Sequence, residues 1–483
     1  MKALSSGGSR WWGAVRAGAE AGILGTAVMS LAMYGLQRLG LLGRMPPRTI
    51  VRRLLGKPRF SRPLPMERAL SALAHLGFGA TQGVVFALAH AASNGLSLKP
   101  SAPPTAKSGV PFGLMVWAAN YCGLLPATGL FAPPSRDRPG RPTSMALSHV
   151  VYGWVLGEVL GRRVAHWNGR RSPERVLILG GSRGLGLLLA KEYLRRGHRV
   201  IIAARDEVRL SLSVDVLRNS FPAADVSAVR CDVENEGELR DAISAAQRRL
   251  GGIDVLVNNA GKIQVGPLAA MTLDDFDRAL RVHLRAPLIA SLAVIEEMRA
   301  RRFGRIVNIS SIGGMVPVPH LLPYVVSKFA LTGLSEGLRV ELAQDGISVT
   351  TVCPGLMRTG STSHATFKAQ HRLEHAWFAL SAATPLTSMS ARRAARKIVD
   401  AAERGDSILV LSWQAKLLAA LHALAPNLVL GALSTVNRLL PSFGGIGSGA
   451  REGRHSASRW APSWVTTLND RAARELGEVP GRS

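Results

Sequence analysis

Tyr324 and Lys328 stand four residues apart in a stretch that predicts a helix, and Ser311 lies 13 residues before Tyr324. Side chains four apart on a helix share a face. A phenol, with an ordinary pKa of about 10, transfers protons poorly at neutral pH, and a neighbouring ammonium lowers that pKa by stabilising the phenolate. A serine hydroxyl at the end of a strand can orient a substrate oxygen. The three residues predict proton transfer at an alcohol or carbonyl oxygen; the alternative is a packing aromatic ring beside a solvated lysine.

A glycine-rich turn lies upstream of these residues. The apolar run Val176–Leu179 leads into Gly180, Gly184 and Gly186, and residues 187–196 have the composition of a helix. A strand, a glycine turn and a helix in this order form the context in which such glycines bind a dinucleotide. The turn is tight, the backbone approaches a pyrophosphate closely, and the helix N-terminus offers free N–H groups.

Short apolar runs alternate with amphipathic stretches from residue 175 onward, which predicts a Rossmann-type doubly wound parallel sheet of about seven strands in an α/β domain. The predicted strands are Val176–Leu179, Val200–Ala203, Val226–Cys231, Asp254–Asn258, Arg305–Ile309, Ser348–Val352 and Ile408–Leu411. The predicted helices are Leu187–Arg196, Glu238–Leu250, Thr272–Arg301, Pro323–Ala343 and Ala391–Glu403. Functional residues are expected at the carboxyl ends of the strands.

The ordered motifs resemble the short-chain dehydrogenase/reductase family over residues 175–412. They are the turn Gly180–Gly186, Asp232, Asn258–Gly261, Ser311, Tyr324 with Lys328, and Pro354 with Gly355. The resemblance implies that Ser311, Tyr324 and Lys328 are catalytic, and that hydride moves between a nicotinamide cofactor and a carbinol carbon. It also implies a set of cofactor-binding residues: Gly180, Ser182, Arg183, Gly184, Leu185, Gly186, Arg205, Asp232, Asn258, Ala260, Gly261, Tyr324, Lys328, Pro354 and Gly355. No metal site is expected.

Two positions depart from the family pattern. Leu179 stands where the family often has threonine, and His283, 28 residues before Ser311, stands where the family usually has a catalytic asparagine. In the family this asparagine helps to hold a water linked to the lysine, largely through its backbone carbonyl. A histidine could keep the carbonyl and change the side-chain network. His283 is therefore a fourth predicted catalytic residue, and simple packing between helices is its alternative role.

The predicted cofactor is NADP(H). An acidic residue after the second strand would bind a ribose 2′-hydroxyl, whereas arginine accommodates a 2′-phosphate. Here Ala204 occupies the position of an NAD-selecting aspartate and is followed by Arg205, while Arg183 offers a second cation from the glycine turn. The resemblance implies that Asp232 holds the adenine edge and that Asn258 and Gly261 lie under the nicotinamide ribose. The alternative is that both arginines are ordinary surface cations.

The first third of the 483-residue chain is apolar and basic. The whole chain is 47% hydrophobic with mean hydropathy +0.14 and net charge +28, and residues 1–170 hold 20 Lys/Arg against four acidic residues. Four segments carry no formal charge: Ala21–Gln37, Ala69–Ala92, Gly109–Ala132 and Thr143–Gly157. Paired small residues recur in or beside them, at Gly18/Gly22, Gly79/Gly83, Gly109/Gly113 and Gly153/Gly157. These features predict a helical membrane domain over 1–165, with three or four spans packed closely.

Charge distribution bears on topology and partners. The stretch from Arg38 to Arg68 holds nine Lys/Arg, which favours a cytoplasmic position for this loop. With a cytoplasmic catalytic domain, three spans place the loop in the cytoplasm, whereas four spans place it outside. Both the three-span and the four-span topology remain open. A retained anchor is favoured over a cleaved signal for residues 1–35. The sequence has no stripe of interleaved basic and aromatic residues, the pattern that would indicate nucleic-acid binding, so no nucleic-acid partner is expected. His75, His90 and His149 are interpreted as hydrogen-bonded within the bundle, with a haem or metal site as the alternative.

The remaining boundaries are a linker at 166–174, apolar helices at 413–443 and a polar, poorly ordered tail at 444–483. The apolar helices are interpreted as membrane-associated, with ordinary dimer packing as the alternative. Leu356–Pro385 is expected to cover the substrate, and its His364, Phe367, His371, Trp377 and Phe378 suggest a partly apolar lid.

The combined hypothesis is a multi-pass inner-membrane oxidoreductase of bacterial type, with its catalytic domain facing the cytoplasm. It interconverts a lipophilic alcohol and its ketone or aldehyde, as a homodimer or homotetramer by family resemblance. The alternatives are a catalytically weak NADP(H)-binding scaffold and a small transporter or docking bundle regulated by the reductase.

Overall fold

The computed structural model describes residues 4–42, 46–54, 65–95, 104–130, 133–168, 173–383 and 388–458, with residues 461, 467, 471–473 and 477–478. The chain divides into two compact units, Met1–Gly169 and Arg170–Ser483. Within the predicted linker, residues 166–168 continue a helix, and residues 169–172 lie outside the described part of the chain.

The N-terminal unit is helical throughout its described residues. Its long helices are α1 (Leu4–Arg38), α2 (Pro46–Leu54), α3 (Pro65–Gly95), α4 (Ala106–Trp117) and α5 (Arg141–Asn168), and a π-helical turn, Ala118–Leu124, with a short helix, Leu125–Ala127, extends α4. By length and composition, three stretches are able to cross a membrane: Trp12–Arg38, Met66–Ala92 and Ala106–Ala127. The fourth apolar segment, Thr143–Gly157, lies within α5, which is not one of these three.

Glycine pairs bring these helices into backbone contact. A Cβ atom on Gly22 would overlap the carbonyl of Gly79, and a Cβ atom on Gly153 would overlap the carbonyl of Gly109. The facing pairs are Gly18 with Gly83, Gly22 with Gly79, and Gly109 with Gly153. The predicted role of the paired small residues, close approach between helices, is therefore confirmed.

The C-terminal unit is built on a seven-stranded parallel sheet, as predicted. Its strands are β1 (Arg175–Leu179), β2 (Arg199–Ala204), β3 (Val226–Arg230), β4 (Val255–Asn258), β5 (Gly304–Ile309), β6 (Ile347–Pro354) and β7 (Ile408–Leu411). They lie in the order β7-β6-β5-β4-β1-β2-β3, which is the doubly wound Rossmann arrangement. The order reverses between β1 and β4, so the crevice at their carboxyl ends is where a ligand is expected.

Helices cover both faces of this sheet. They are α6 (Gly184–Arg195), α7 (Glu207–Ser220), α8 (Glu236–Leu250), α9 (Leu273–Leu280), α10 (Ala286–Ala300), α11 (Leu322–Glu341), α12 (His371–Ala383), α13 (Ala391–Arg404), α14 (Trp413–Leu424) and α15 (Pro426–Asn437). One apolar core contains Val176 and Ile178 of β1, and the other contains Leu177 and Leu179. Because β1 is buried on both faces, it is continuously apolar instead of alternating with polar residues.

The structure corrects three details of the predicted elements. The single helix expected over Thr272–Arg301 is divided by a π-helical turn, Arg281–Arg285. Helix α7 was absent from the predicted set, and its first turn is capped by the Asp206 carboxylate, which accepts from the Arg209 N–H. The expected lack of order in the tail is wrong for its described residues, because Arg451–Glu452 pairs antiparallel with Thr366–Phe367.

Short ladders complete the C-terminal unit near the sheet's carboxyl edge. Gln264–Val265 pairs in parallel with Thr366–Phe367, and Leu356–Arg358 pairs in parallel with Ser388–Ser390. These ladders fix the segment that follows β6 over the ends of the central strands.

Candidate active site

The glycine turn after β1 packs so closely against neighbouring backbone that a side chain at Gly180 or Gly186 would not fit. Gly180 has φ +80°, and a Cβ atom there would lie 2.7 Å from Cα of Ala260. A Cβ atom on Gly186 would overlap the carbonyl oxygen of Gly180, so α6 packs directly on the turn. The Asn259 side-chain amide donates to the same carbonyl at 2.7 Å. Helix α6 begins at Gly184 and directs its free N–H groups into the crevice, a cradle that suits phosphate.

Three guanidinium groups lie beside this turn. The side chains of Arg183, Arg205 and Arg209 are 35%, 56% and 25% exposed. The pKa of Arg183 is lowered, first by burial and then by repulsion from Arg209 and Arg205, while Glu478 acts in the opposite direction. Cations that repel one another next to a helix N-terminus favour an anionic ligand. Sequence reasoning missed Arg209, although its spacing of four from Arg205 was visible.

Tyr324, Ser311 and Lys328 meet at the carboxyl ends of the central strands. Ser311 follows β5, and its hydroxyl accepts from the Gly313 N–H at 3.0 Å and lies near enough to the Tyr324 phenol to lower the pKa of that group. Lys328 lies one turn along α11, with Nζ 5.6 Å from the centre of the Tyr324 ring. The Lys328 ammonium donates to the carbonyl of Ile309 at 2.8 Å, which anchors it beneath the phenol. The structure thus brings together the three side chains that the sequence singled out.

The electrostatics of this group differ from the expectation. Burial raises the pKa of Tyr324, and the nearby hydroxyl of Ser311 offsets that rise only in part. Burial also lowers the pKa of Lys328 to about 7. The expectation that the lysine makes the phenol unusually acidic is therefore wrong for the chain's own residues, because desolvation disfavours both charged forms. The phenol is therefore protonated at neutral pH but is a weak acid, so proton transfer from it requires stabilisation of the phenolate.

His283 lies in the π-helical turn between α9 and α10, and it does not reach the reacting atoms. Its Nε2 accepts from the backbone N–H of Lys262 at 3.1 Å, so Nδ1 carries the proton and donates to Oγ of Ser327 at 2.8 Å. Ser327 in turn donates to the carbonyl of Tyr324 at 2.8 Å. Burial, Lys328 and Lys262 hold the pKa of His283 well below its ordinary value, so the ring is neutral.

This chain of hydrogen bonds joins the loop after β4 to the first turn of α11. The His283 ring also packs edge-on against Tyr324, with ring centres 5.4 Å apart. These contacts place His283 where it can hold the first turn of α11, and with it Tyr324, in position; the catalytic role predicted for His283 stays a prediction.

Asn258 belongs to a buried polar network that crosses the strand ends. Its amide donates to Oδ1 of Asn308 at 2.8 Å, and Asn308 donates to Oγ of Ser335 at 3.0 Å. Thr351 donates to the same Ser335 oxygen at 2.7 Å. The network ties β4, β5, β6 and α11 together, so the crevice floor is rigid.

The other predicted cofactor residues surround the same crevice. Asp232 follows β3 and accepts from the N–H of Glu234 at 3.0 Å. A Cβ atom on Gly261 would lie 3.1 Å from Nε2 of His283, and one on Gly355 would lie 2.9 Å from Oγ of Ser412. The remaining members are Ser182, whose carbonyl accepts from Ser213 at 2.6 Å, Leu185 in the first turn of α6, Ala260 against Gly180, and Pro354 at the end of β6.

An apolar cluster packs against Tyr324. Its buried members are Val265, Leu321, Val325, Ala365, Phe367 and Phe378, and Tyr324 and Trp377 pack against it. His320 is hydrogen-bonded to Glu374 at 2.8 Å, and the same carboxylate accepts from the Trp377 indole at 2.7 Å. The residues predicted to form the lid therefore lie in different surroundings. Phe367 and Phe378 belong to the buried apolar cluster, whereas His364 is hydrogen-bonded to the backbone of Glu478.

No cluster of His, Cys, Asp or Glu able to hold a metal ion occurs among the described residues. Cys231 and Cys353 are buried and Cys122 is exposed, all three as free thiols. The chemistry available at the site is therefore that of the phenol, the hydroxyl, the lysine and the dinucleotide cradle.

Comparison with known proteins gives both units a relative. Residues 13–169 match a family of unknown function (DUF6789). The C-terminal unit is 37% identical over 185 residues to a Granaticin polyketide synthase putative ketoacyl reductase of Streptomyces violaceoruber, covering 38% of this chain and 67% of that protein. It is 36% identical over 190 residues to 2-(R)-hydroxypropyl-CoM dehydrogenase of Xanthobacter autotrophicus, covering 38% of this chain and 75% of that protein.

A solved short-chain dehydrogenase from Streptomyces avermitilis is 28% identical with a TM-score of 0.48, covering 56% of this chain and 99% of its own. The family model for short chain dehydrogenases matches residues 174–369, which contain the glycine turn, Ser311, Tyr324 and Lys328. The relatives, the Rossmann sheet and the site residues agree, and the chain belongs to the short-chain dehydrogenase family of oxidoreductases.

Proposed function

We propose that this chain is a membrane-tethered, NADP(H)-dependent oxidoreductase that interconverts a lipophilic alcohol and its ketone or aldehyde. The observation that carries the proposal is the convergence of Ser311, Tyr324 and Lys328 beside a glycine turn lined by cations. When bound, the nicotinamide cofactor supplies or accepts the hydride, which is chemistry that no side chain provides.

The roles of the catalytic residues follow from their protonation states. Ser311 orients the substrate oxygen, and Tyr324, which is protonated at neutral pH, donates a proton to it; because the raised pKa makes the phenol a weak acid, the transfer depends on stabilisation of the phenolate. Lys328 stabilises the phenolate that remains after the transfer, from its position one helical turn below. His283, through Ser327, fixes the start of α11 and thereby the direction of the phenol. These roles favour carbonyl reduction at neutral pH.

The preference for NADP(H) is supported by Arg183, Arg205 and Arg209. Ala204 leaves the end of β2 without an acidic side chain, and the three guanidiniums form a positive surface at the turn. A 2′-phosphate would accept charge-assisted hydrogen bonds from such arginines. Asp232 would hold the adenine edge, and Asn258 and Gly261 would lie under the nicotinamide ribose.

Membrane tethering is supported by apolar side chains on the surface of the N-terminal unit. Leu24 of α1 is 51% exposed, Leu31 is 72% exposed, Leu73 of α3 is 66% exposed and Met115 of α4 is 58% exposed. Apolar surfaces of this kind on three long helices fit lipid better than water. The apolar cluster beside Tyr324 supports a lipophilic substrate.

Turnover by the full-length protein in liposomes tests the proposal. NADPH oxidation is measured with ketones and aldehydes of increasing chain length and with long-chain 3-oxo thioesters. We expect turnover, with kcat/KM increasing with apolar chain length. NADPH binding without turnover on any carbonyl compound would contradict the proposal and support a cofactor-binding scaffold instead.

A further inference from the structure

The C-terminal tail returns to the glycine turn. Glu478 is 5% exposed, and its Oε2 lies 3.5 Å from Nε of Arg183. A Cβ atom on Gly184 would overlap Oε1 of the same carboxylate. The tail therefore places a negative charge against the first residue of α6, beside one of the arginines that the proposed function assigns to the cofactor phosphate.

The tail is seated at two further points. Nε2 of His364 is hydrogen-bonded to the backbone carbonyl of Glu478 at 2.5 Å, and the N–H of Glu478 donates to the carbonyl of Ala473 at 2.8 Å. A Cβ atom on Gly360 would overlap Ala473, so the tail packs on the segment that follows β6. These contacts make the position of Glu478 a built feature of the fold.

A carboxylate at this place has the chemistry of a phosphate. Both are anions that accept hydrogen bonds from helix N-terminal N–H groups and from guanidinium groups. Burial raises the pKa of Glu478 to about 7, because the nearby Arg183 and Arg209 compensate only in part for the loss of water. The buried carboxylate is thus incompletely stabilised, and a ligand with more negative charge can displace it.

We propose that Glu478 occupies a phosphate subsite of the dinucleotide crevice and competes with the cofactor, so that the tail must leave before the dinucleotide binds. This inference rests on the proposed function only in that it needs a phosphate-bearing cofactor at Gly184. If only some molecules have the tail displaced, the apparent Kd for the cofactor equals the intrinsic Kd divided by that fraction. The tail therefore raises the apparent Kd. The tail thereby sets the affinity of the cofactor site without touching Tyr324.

The first test is a binding titration of the full-length protein. Kd for NADPH is measured for the wild type, for Glu478→Gln and for Glu296→Gln, a control that removes one negative charge from an 85% exposed side chain on α10. We expect Glu478→Gln to lower Kd by about fivefold or more, because the neutral amide loses the attraction to Arg183. The control is expected to leave Kd unchanged. An unchanged or higher Kd in Glu478→Gln would overturn the inference.

The second test follows hydrogen exchange without relying on turnover. Saturating NADPH should protect the backbone amides of 180–186 and speed exchange at residues 471–473 and at Glu478, because the tail is released. Protection of both segments would mean that the tail closes over the cofactor, and would overturn competition. Failure of every variant to bind NADPH or NADH would overturn the proposed function and the inference with it, whereas binding with equal Kd overturns the inference alone.

Discussion

Glycine and buried hydroxyl groups serve different purposes in the two units. In the N-terminal unit, glycines such as Gly22 and Gly79 bring two helices into backbone contact. Several hydroxyls there bond within their own helix, as Thr26 does to the carbonyl of Gly22 at 2.8 Å, and the Tyr152 phenol donates to the carbonyl of Gly79 on a neighbouring helix at 2.9 Å. In the C-terminal unit, Gly180 and Gly186 shape a single turn, and hydroxyls connect separate segments, as Ser335 does between β5 and β6.

The difference fits the role proposed for each unit. Helices whose polar groups are satisfied internally can present apolar side chains to their surroundings, as lipid requires. Polar groups that bond across segments instead fix the relative positions of strand ends, as catalysis requires. Four experiments test these two roles, helix packing in the N-terminal unit and catalysis in the C-terminal unit, and they are given from the largest expected effect to the smallest.

Gly79→Leu tests the packing of the N-terminal unit. Its side chain would overlap Thr26, so we expect the free energy of unfolding to fall by about 3 kcal/mol or more. Gly77→Leu is the matched control, because a Cβ atom at Gly77 meets nothing within 4 Å. Unfolding of the full chain in detergent micelles measures both. Equal destabilisation by the two substitutions would contradict the packing role of Gly79.

Replacing Arg183 and Arg205 together by alanine tests the cofactor site. Because each charge-assisted contact is worth about 1.5 kcal/mol, we expect the preference for NADPH over NADH, as a ratio of kcat/KM, to fall by about 100-fold. Arg230→Ala is the control, since that exposed arginine at the end of β3 pairs with Glu238 of α8 at 2.9 Å. A ratio that stays constant in the double variant would remove the argument for NADP(H).

His283→Asn tests the positioning role of the histidine. Asparagine is too short to join Lys262 and Ser327, so we expect kcat to fall by about tenfold with little change in KM for NADPH, in line with a misdirected proton donor. His283→Gln, which keeps an acceptor near the Nε2 position, should recover part of the rate. A rise in KM with unchanged kcat would indicate a binding role instead.

The pH dependence of carbonyl reduction tests the protonation states. Burial lowers the pKa of Lys328 to about 7, so above that pH the ammonium loses its proton and no longer stabilises the Tyr324 phenolate. We expect kcat/KM to be highest below about pH 7 and to fall by about fivefold between pH 7 and pH 8. Lys328→Arg, which stays charged, should abolish that decline. A rate that increases through this range would contradict the assignment.

Sequence patterns predicted the fold well because burial on both faces leaves a local signature. The run Val176–Leu179 is continuously apolar, and the structure extends it by one residue to β1. The glycine pairs of the bundle were equally visible, since their spacing of four residues reflects the helix period. The π-helical turn at His283 was not, because its residues have ordinary helical composition.

The electrostatics of the site depend on contacts between distant parts of the chain. The position of Tyr324 and Lys328 followed from spacing, but the direction of their pKa shifts follows from burial, which needs the tertiary structure. Glu478 is far in sequence from Arg183, and nothing near it in the chain indicates a partner at the glycine turn. Local patterns thus predicted which groups come together but not their charge or accessibility.

Single-turnover NADPH oxidation by the full-length protein tests the central claim most directly. The wild type and Tyr324→Phe are loaded with NADPH, with binding checked for both, and mixed with a long-chain ketone. We expect the wild type to oxidise its bound NADPH and Tyr324→Phe to do so slower by about 1,000-fold, the range for loss of a positioned proton donor. Equal rates in the two proteins would contradict the assignment of Tyr324 as that donor.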